Sequence, residues 1–238
     1  MTHLGCDRIS EPWLSYYIDG CRQELHTDVP RGPWAFVYSL TRWDERRFIG
    51  GETLLLGPEV LDYWNGFDAD RPLEADKLLV RVPALFNQLT VFDARIPHGV
   101  ARVEGTHDPA QSRVVVHGWF LTPAPSIRGA LRPAETAPEI ARIRADWRGL
   151  LASPVTGAGG RAAGTGAVTG LAVWRLRVAA EGAVTAVRLV ADTLVSTVAD
   201  SRRPESLLDD MRHRLQRAEF PGSSGETVIT LPLSTKET

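Results

Sequence analysis

The sequence is short of the features that usually assign a chain quickly. Its 238 residues include two cysteines, Cys6 and Cys21, in no CxxC or zinc-ligand spacing. That excludes a cysteine metal knuckle and a disulfide framework, and both thiols are expected to be reduced and structural. No stretch approaches the roughly 20 apolar residues of a membrane span. The opening MTHLGCDRISEPWL has no basic region followed by an apolar run, as a secretory signal requires. The expected location is therefore the cytoplasm, with no membrane span. Charge of one sign is lacking too: the formal net charge is -2 and neither half carries a dense block of lysine and arginine. Nucleic acid and anionic membrane are thus not expected partners. What is present is an ordinary balance, 43% hydrophobic and 24% charged residues, in a chain long enough for two domains.

Up to about residue 123 the chain reads as short β-rich runs broken by turns: WLSYYIDG, RQELHTD, WAFVYSL, ETLLLG, NQLTVFD, GVARVEG and RVVVHGWFL. Many short strands without intervening helices point to a mainly β barrel or sandwich. In ETAPEIARIRADWRGLL, Ile140, Ile143, Trp147 and Leu150 fall at helical spacing, with Thr136 able to cap and Pro138 suited to the first turn. The following SPVTGAGGRAAGTGAVTG, residues 153–170, has almost no side chain large enough to anchor it and reads as a flexible linker. Beyond it, two alternating runs flank Glu181-Gly182, a hairpin signal, and Pro204 opens a helix with the apolar stripe Leu207, Leu208, Met211 and Leu215. A last strand, ETVITLPLS, carries Pro232 and is expected at a sheet edge. The expected organisation is a first domain over 1–152 that includes the trailing helix, a linker over 153–170, and a small α+β module of ββαβ order over 171–238.

The stretch LHTDVPRG places His26 and Asp28 two residues apart on an extended segment, so that an imidazole and a carboxylate share one face. Aimed into a barrel, they are costly unless something binds them. His98, after the turn in FDARIPHGV, supplies a third candidate ligand from a distant strand. Two histidines and one carboxylate on one face leave other coordination positions open, which suits non-haem Fe(II), whereas a closed structural zinc site wants a fourth ligand. In RVVVHGWF, Arg113, Val115, His117 and Trp119 share a face by strand parity. If that face is inward, a buried guanidinium needs a planar anion, and a surface or salt-bridged arginine is the alternative. His117 reads as a satisfied barrel histidine or as a group that tunes the substrate through a neighbour. Trp119 reads as core or as the lining of a pocket mouth. His3, His107 and His213 read as exposed and inert.

His26-x-Asp28, YSLTRWDERRFIGGETLLL, PHGV and SRVVVHGWF, in this order, resemble the 2-oxoglutarate- and Fe(II)-dependent dioxygenases of the prolyl 4-hydroxylase type, from about Trp13 to Phe120. The resemblance implies a double-stranded β-helix (jelly-roll) fold with His26, Asp28 and His98 as iron ligands. It makes Arg113 the anchor for the far carboxylate of 2-oxoglutarate and Tyr17 a cosubstrate contact, with the adjacent Tyr16 an equal match. Gly50-Gly51-Glu52 matches a structural turn of that family. An acidic ligand at position 28 implies hydroxylation rather than halogenation, with CO2 and succinate as co-products and ascorbate as a possible accessory reductant. The acceptor is unknown; a protein or peptide side chain such as proline is one class, a small molecule another. The terminal module resembles the TonB C-terminal domain through AEGAVTAVRLVADTLVS and EFPGSSGETVITLPL, which implies binding of a protein partner. Two rival readings are a non-catalytic metal-binding, cupin-like protein and an adaptor whose barrel is only a scaffold.

Overall fold

The computed structural model of the chain describes residues 4–29, 31–57, 59–60, 63, 70, 72, 74–152, 155–156, 162–163, 168–196 and 204–235. The described chain is mainly β with antiparallel sheets. It divides into two compact units: Arg8–Leu121 on one side, and Thr122–Thr238 joined by Met1–Asp7 on the other. Most of the expected linker, 153–170, lies outside the described residues. Among the described residues, no helix is long and apolar enough to cross a membrane.

The Arg8–Leu121 unit holds eight strands: β1 Trp13–Tyr17, β2 Gln23–His26, β3 Trp34–Ser39, β4 Thr53–Leu56, β5 Leu79–Val82, β6 Gln88–Asp93, β7 His98–Val100 and β8 Arg113–Phe120. They form two four-stranded antiparallel sheets, ordered β1-β8-β3-β6 and β2-β7-β4-β5. No hairpin closes the first sheet in sequence order: β8 pairs with both β1 and β3, so strands about a hundred residues apart become neighbours. The side chains between are small clusters, Ala35, Phe92, Ala94 and Trp119 in one, Trp43, Phe48, Ala84 and Val103 in another. Gly50 and Gly51 both have positive φ, 74° and 81°. A Cβ at Gly50 would overlap the Arg102 carbonyl oxygen. The chain can therefore turn into β4 here only with glycine.

The second unit is built on β9 Ser126–Gly129, α1 Pro133–Ala152, β13 Leu171–Val178, β14 Val184–Asp192, α2 Pro204–Gln216 and β16 Thr227–Ser234. Four short strands form two further pairs: β10 Val155–Thr156 with β11 Ala162–Ala163, and β12 Val168–Thr169 with β15 Val195–Ser196. The main sheet is ordered β14-β13-β16-β9. One face of α1 (Ile140, Ile143, Trp147, Leu150) and the stripe of α2 (Leu207, Leu208, Met211, Leu215) bury against Trp174, Leu176, Ile229 and Leu231. This assigns the helix expected to trail the first domain to the second unit, and the boundary falls at 121/122 instead of 152/153. The cause is β9, which pairs with β16 through Ser126–Gly129 and carries α1 with it.

Three local expectations also change. Helix α1 starts at Pro133, in the favourable first position, because Glu135 reaches back to accept from the Arg132 N–H at 2.7 Å. Thr136 is therefore buried inside the first turn, donating to the Pro133 carbonyl at 3.0 Å, and Pro138 lies within the helix. The β13–β14 connection spans Ala179–Ala183, longer than a two-residue turn, with Gly182 at φ 95°. Strand β16 is interior, between β13 and β9, but β9 ends opposite Thr227–Thr230, so Pro232 lies past its reach and removes no ladder bond.

Candidate metal centre

His26 ends β2 and lies directly opposite His98 on β7, which brings the two rings to 4.4 Å between centroids. Asp28, two residues on, is held by its own N–H donating to the Ala94 carbonyl at 2.9 Å. Its carboxylate lies 3.1 Å from His98 Nε2 and 3.8 Å from His26 Nε2. One ligand atom from each of the three residues lies within 4.8 Å of the others, a group able to hold a metal ion.

The outer nitrogens decide what the inner ones can do. His26 Nδ1 lies 2.9 Å from the Glu24 carbonyl and His98 Nδ1 lies 2.9 Å from the Ile96 carbonyl. A carbonyl only accepts, so each Nδ1 is the protonated nitrogen, and a neutral ring then presents its Nε2 lone pair to Asp28. Two lone pairs facing a carboxylate repel unless a proton or a cation sits among them. Backbone carbonyls that fix the tautomer in this way are the usual outer support of metal-bound imidazoles. The donor set of two imidazoles and a carboxylate therefore fits a divalent first-row metal with open positions.

A cavity of about 230 Å³ joins this group to the late strand, lined by His26, Asp28, His98, Arg113, His117 and Trp119 among others. Arg113 stands opposite Tyr17 of β1, with its guanidinium carbon 4.7 Å from the ring centroid. It is 1% exposed. Its Nη2 donates to Thr53 Oγ1 at 3.0 Å, whereas Nε and Nη1 have no hydrogen-bond partner among the described residues. Burial pushes its pKa down to about 10 against the opposing pull of Tyr17 and Glu52. Burial likewise raises the Tyr17 phenol, partly offset by Arg113. A guanidinium this deep with two idle donors fits a planar anion.

His117 lies on the same face of β8, with Nε2 2.9 Å from Ser15 Oγ. Burial first, and the Arg113 charge second, lower its pKa. Trp119 is buried, meets Trp13 edge-on at 6.2 Å, and is covered by the Arg31 guanidinium at 4.6 Å. Tyr17 lines the cavity and donates to Gln23 Oε1 at 3.4 Å; Tyr16 is exposed and absent from the cavity lining. His107 and His213 are exposed, 3.9 Å from Asp19 Oδ2 and 2.8 Å from the Asp209 carbonyl respectively, away from this cavity. His3 lies outside the described residues. Both cysteines are free thiols, and burial pushes Cys6 up to about 11.

Three polar lining residues were not foreseen from the sequence: Gln23, which contacts His26 Nε2 at 3.2 Å, Thr53, and Arg31. Thr53 faces Val100 across β4 and β7, a relation visible only once the register is known. Arg31, three residues after Asp28, carried a usable signal, a basic residue just beyond a candidate ligand.

No family model matches the chain, and no curated protein matches it. Among solved structures, a Pseudomonas putida prolyl-4-hydroxylase is similar at 22% identity and a TM-score of 0.35, over 53% of this chain and 55% of that one. The similarity thus spans about half of the length of that structure.

Proposed function

We propose that the Arg8–Leu121 unit is an Fe(II)- and 2-oxoglutarate-dependent oxygenase of double-stranded β-helix type that hydroxylates an acceptor. The observation that carries the reading is a His-Asp-His group with inward lone pairs in the same cavity as a buried, half-unpaired arginine. His26, Asp28 and His98 would hold the iron. When bound, Fe(II) supplies activation of O2, with 2-oxoglutarate oxidised to succinate and CO2.

The chain's own residues bind, orient and shield. Arg113, steadied by Thr53 and stacked on Tyr17, takes the far carboxylate of 2-oxoglutarate on the donors it leaves idle. The Glu24 and Ile96 carbonyls keep both Nδ1 protons in place, so both Nε2 atoms stay available as ligands. Phe92, packed edge-on against His98 at 4.7 Å, and Val115 keep water from that side of the site. Asp28 fills the acidic ligand position, which favours hydroxylation over halogenation. Ascorbate would serve as an accessory reductant, and a peptidyl proline is one candidate acceptor.

The second unit we read as a protein-docking module of the TonB C-terminal type, supported by the order β13-β14-α2-β16. Its ligand would be another protein.

Anaerobic titration with Fe(II) and then 2-oxoglutarate tests the oxygenase reading through the visible absorption that the bound keto acid acquires. The expected band is lost in Arg113→Ala at modest cosubstrate concentration and in Asp28→Ala at modest iron. Iron binding without the band would instead favour a non-catalytic metal-binding protein, and no iron binding would favour an adaptor.

A further inference from the structure

The cavity carries a second guanidinium that the cosubstrate does not use. Arg31 lines the same cavity as the His-Asp-His group but is itself exposed, with its guanidinium carbon over the Trp119 ring at 4.6 Å from the centroid. Among the described residues no carboxylate pairs with it: Asp28, the nearest in sequence, gives its oxygens to His98 and His26. Arg31 touches Asp28 only through the backbone, its N–H donating to the Asp28 carbonyl at 2.7 Å. Stacking holds the guanidinium plane and leaves its edge donors free.

Charge matching leaves this arginine over. If the site works as proposed, the two positive charges of Fe(II) meet Asp28 and the keto-acid end of 2-oxoglutarate, and Arg113 meets the far carboxylate. His117, lowered by burial, adds no charge at neutral pH. Arg31 then faces the remaining space without an anion. The surroundings of that space are aromatic: Trp13, 55% exposed, stands edge-on to both Trp119 and the His117 ring, at 6.2 and 6.1 Å. An exposed tryptophan beside a buried one makes an apolar wall in want of a cover. Trp119 also has a buried indole Nε1 without a hydrogen-bond partner, a further donor for an acceptor oxygen.

We infer that Arg31 anchors the acceptor, and that the acceptor is a carboxylate with an apolar body, its carboxylate on the Arg31 edge and its body against Trp13 and Trp119. The inference rests on the oxygenase reading of the same cavity. It assigns Arg31 a role in acceptor choice and Arg113 a role in cosubstrate choice, one guanidinium for each anion.

The test is calorimetric binding of two matched probes, 3-phenylpropanoate and its neutral amide, to full-length protein loaded anaerobically with Fe(II) and saturating 2-oxoglutarate. The carboxylate is expected to bind roughly tenfold or more tightly than the amide, as a charge-assisted contact in a partly buried site implies. The preference should vanish in Arg31→Gln, return in part in Arg31→Lys, and persist in Arg113→Gln. Equal binding of the two probes, binding of neither at millimolar concentration, or a preference untouched by Arg31→Gln would overturn the inference. A preference that collapses in Arg113→Gln alone would overturn both it and the cosubstrate role of Arg113. If 2-oxoglutarate fails to bind the wild type while Arg31 still selects the carboxylate, the oxygenase reading fails and the anion site stands.

Discussion

In the unit built on β13 and β16, the fully buried side chains include Trp147, Trp174, Leu176, Ile229, Leu207 and Met211; in the unit built on β3 and β8, the largest fully buried side chain is Arg113. The buried polar residues of the first are threonines, Thr136, Thr227 and Thr230, and two of them hydrogen-bond the backbone, Thr136 donating to the Pro133 carbonyl and Thr227 accepting from the Leu131 N–H. Those of the second include Asp93, His98 and Arg113, beside apolar clusters such as Ala35, Phe92, Ala94 and Trp119. One interior is filled by its own side chains, although the buried Trp174 indole Nε1 has no hydrogen bond among the described residues. The other has inward lone pairs and idle donors, and on the proposed reading a bound metal and anion complete it. The difference is between a core closed by its own packing and one that, on that reading, a ligand closes.

The comparison is most open to attack at Trp174. Truncation to alanine should cost about 3–5 kcal/mol, the range for a large aromatic removed from a rigid core, read as a lower denaturant midpoint. Trp174→Phe should cost clearly less, because it also removes an indole N–H that has no partner. Equal losses for the two substitutions would mean that the core collapses around any change and is not close-packed.

Arg113 should behave in the opposite sense. Burial holds its folded-state pKa at about 10, below the ordinary guanidinium range. Below pH 10 both states carry the proton, and burial of the charge then weighs against folding in full. The penalty is relieved only as pH rises from about 10 towards the ordinary value. Arg113→Met, at neutral pH and without ligands, should therefore raise stability, by an amount of order 3 kcal/mol before the lost Thr53 bond is subtracted. The same variant should lose 2-oxoglutarate binding. A fall in stability would show that the guanidinium is a structural member of the sheet and remove the main contrast between the units.

Metal should supply what packing does not. With free Fe(II) at about a hundred times its dissociation constant, the wild type should gain about 2.7 kcal/mol, returned on adding a chelator. Asp28→Ala should abolish most of that gain, since the carboxylate is the one anionic member of the group. A full gain in Asp28→Ala would place the metal elsewhere.

Much of this contrast was legible in the sequence, and the missing part has a definite cause. Strand parity put Arg113, Val115, His117 and Trp119 on one face, and all four line the cavity. Helical spacing identified the buried faces of α1 and α2. Both are local periodicities, carried by residues within one element. The unit boundary was misplaced because the Gly/Ala-rich stretch is the louder compositional signal, whereas the true division depends on β9 pairing with β16 about a hundred residues away. Gln23 and Thr53 were missed for the same reason: each becomes part of the site through strand pairing, and neither is unusual in its own neighbourhood.

The smallest effect expected concerns His117, and it sharpens the comparison within the cavity itself. Its pKa lies below the ordinary 6.5 because burial, and then Arg113, disfavour the charged ring. The unfolded chain therefore takes up the proton first as pH falls. The stability tied to the neutral ring is whole above about pH 6.5 and is lost progressively below it. His117→Gln keeps a side chain able to hydrogen-bond Ser15 and cannot titrate. Measured in the presence of a chelator, its fall in Tm between about pH 7 and about pH 5 should be smaller than that of the wild type, by about 1–2 °C. Every other side chain is common to the two proteins, so the difference between the two curves belongs to position 117. Identical curves would mean that water or a local shift solvates the imidazolium, and the polar interior of this unit would then be wetter than its burial suggests.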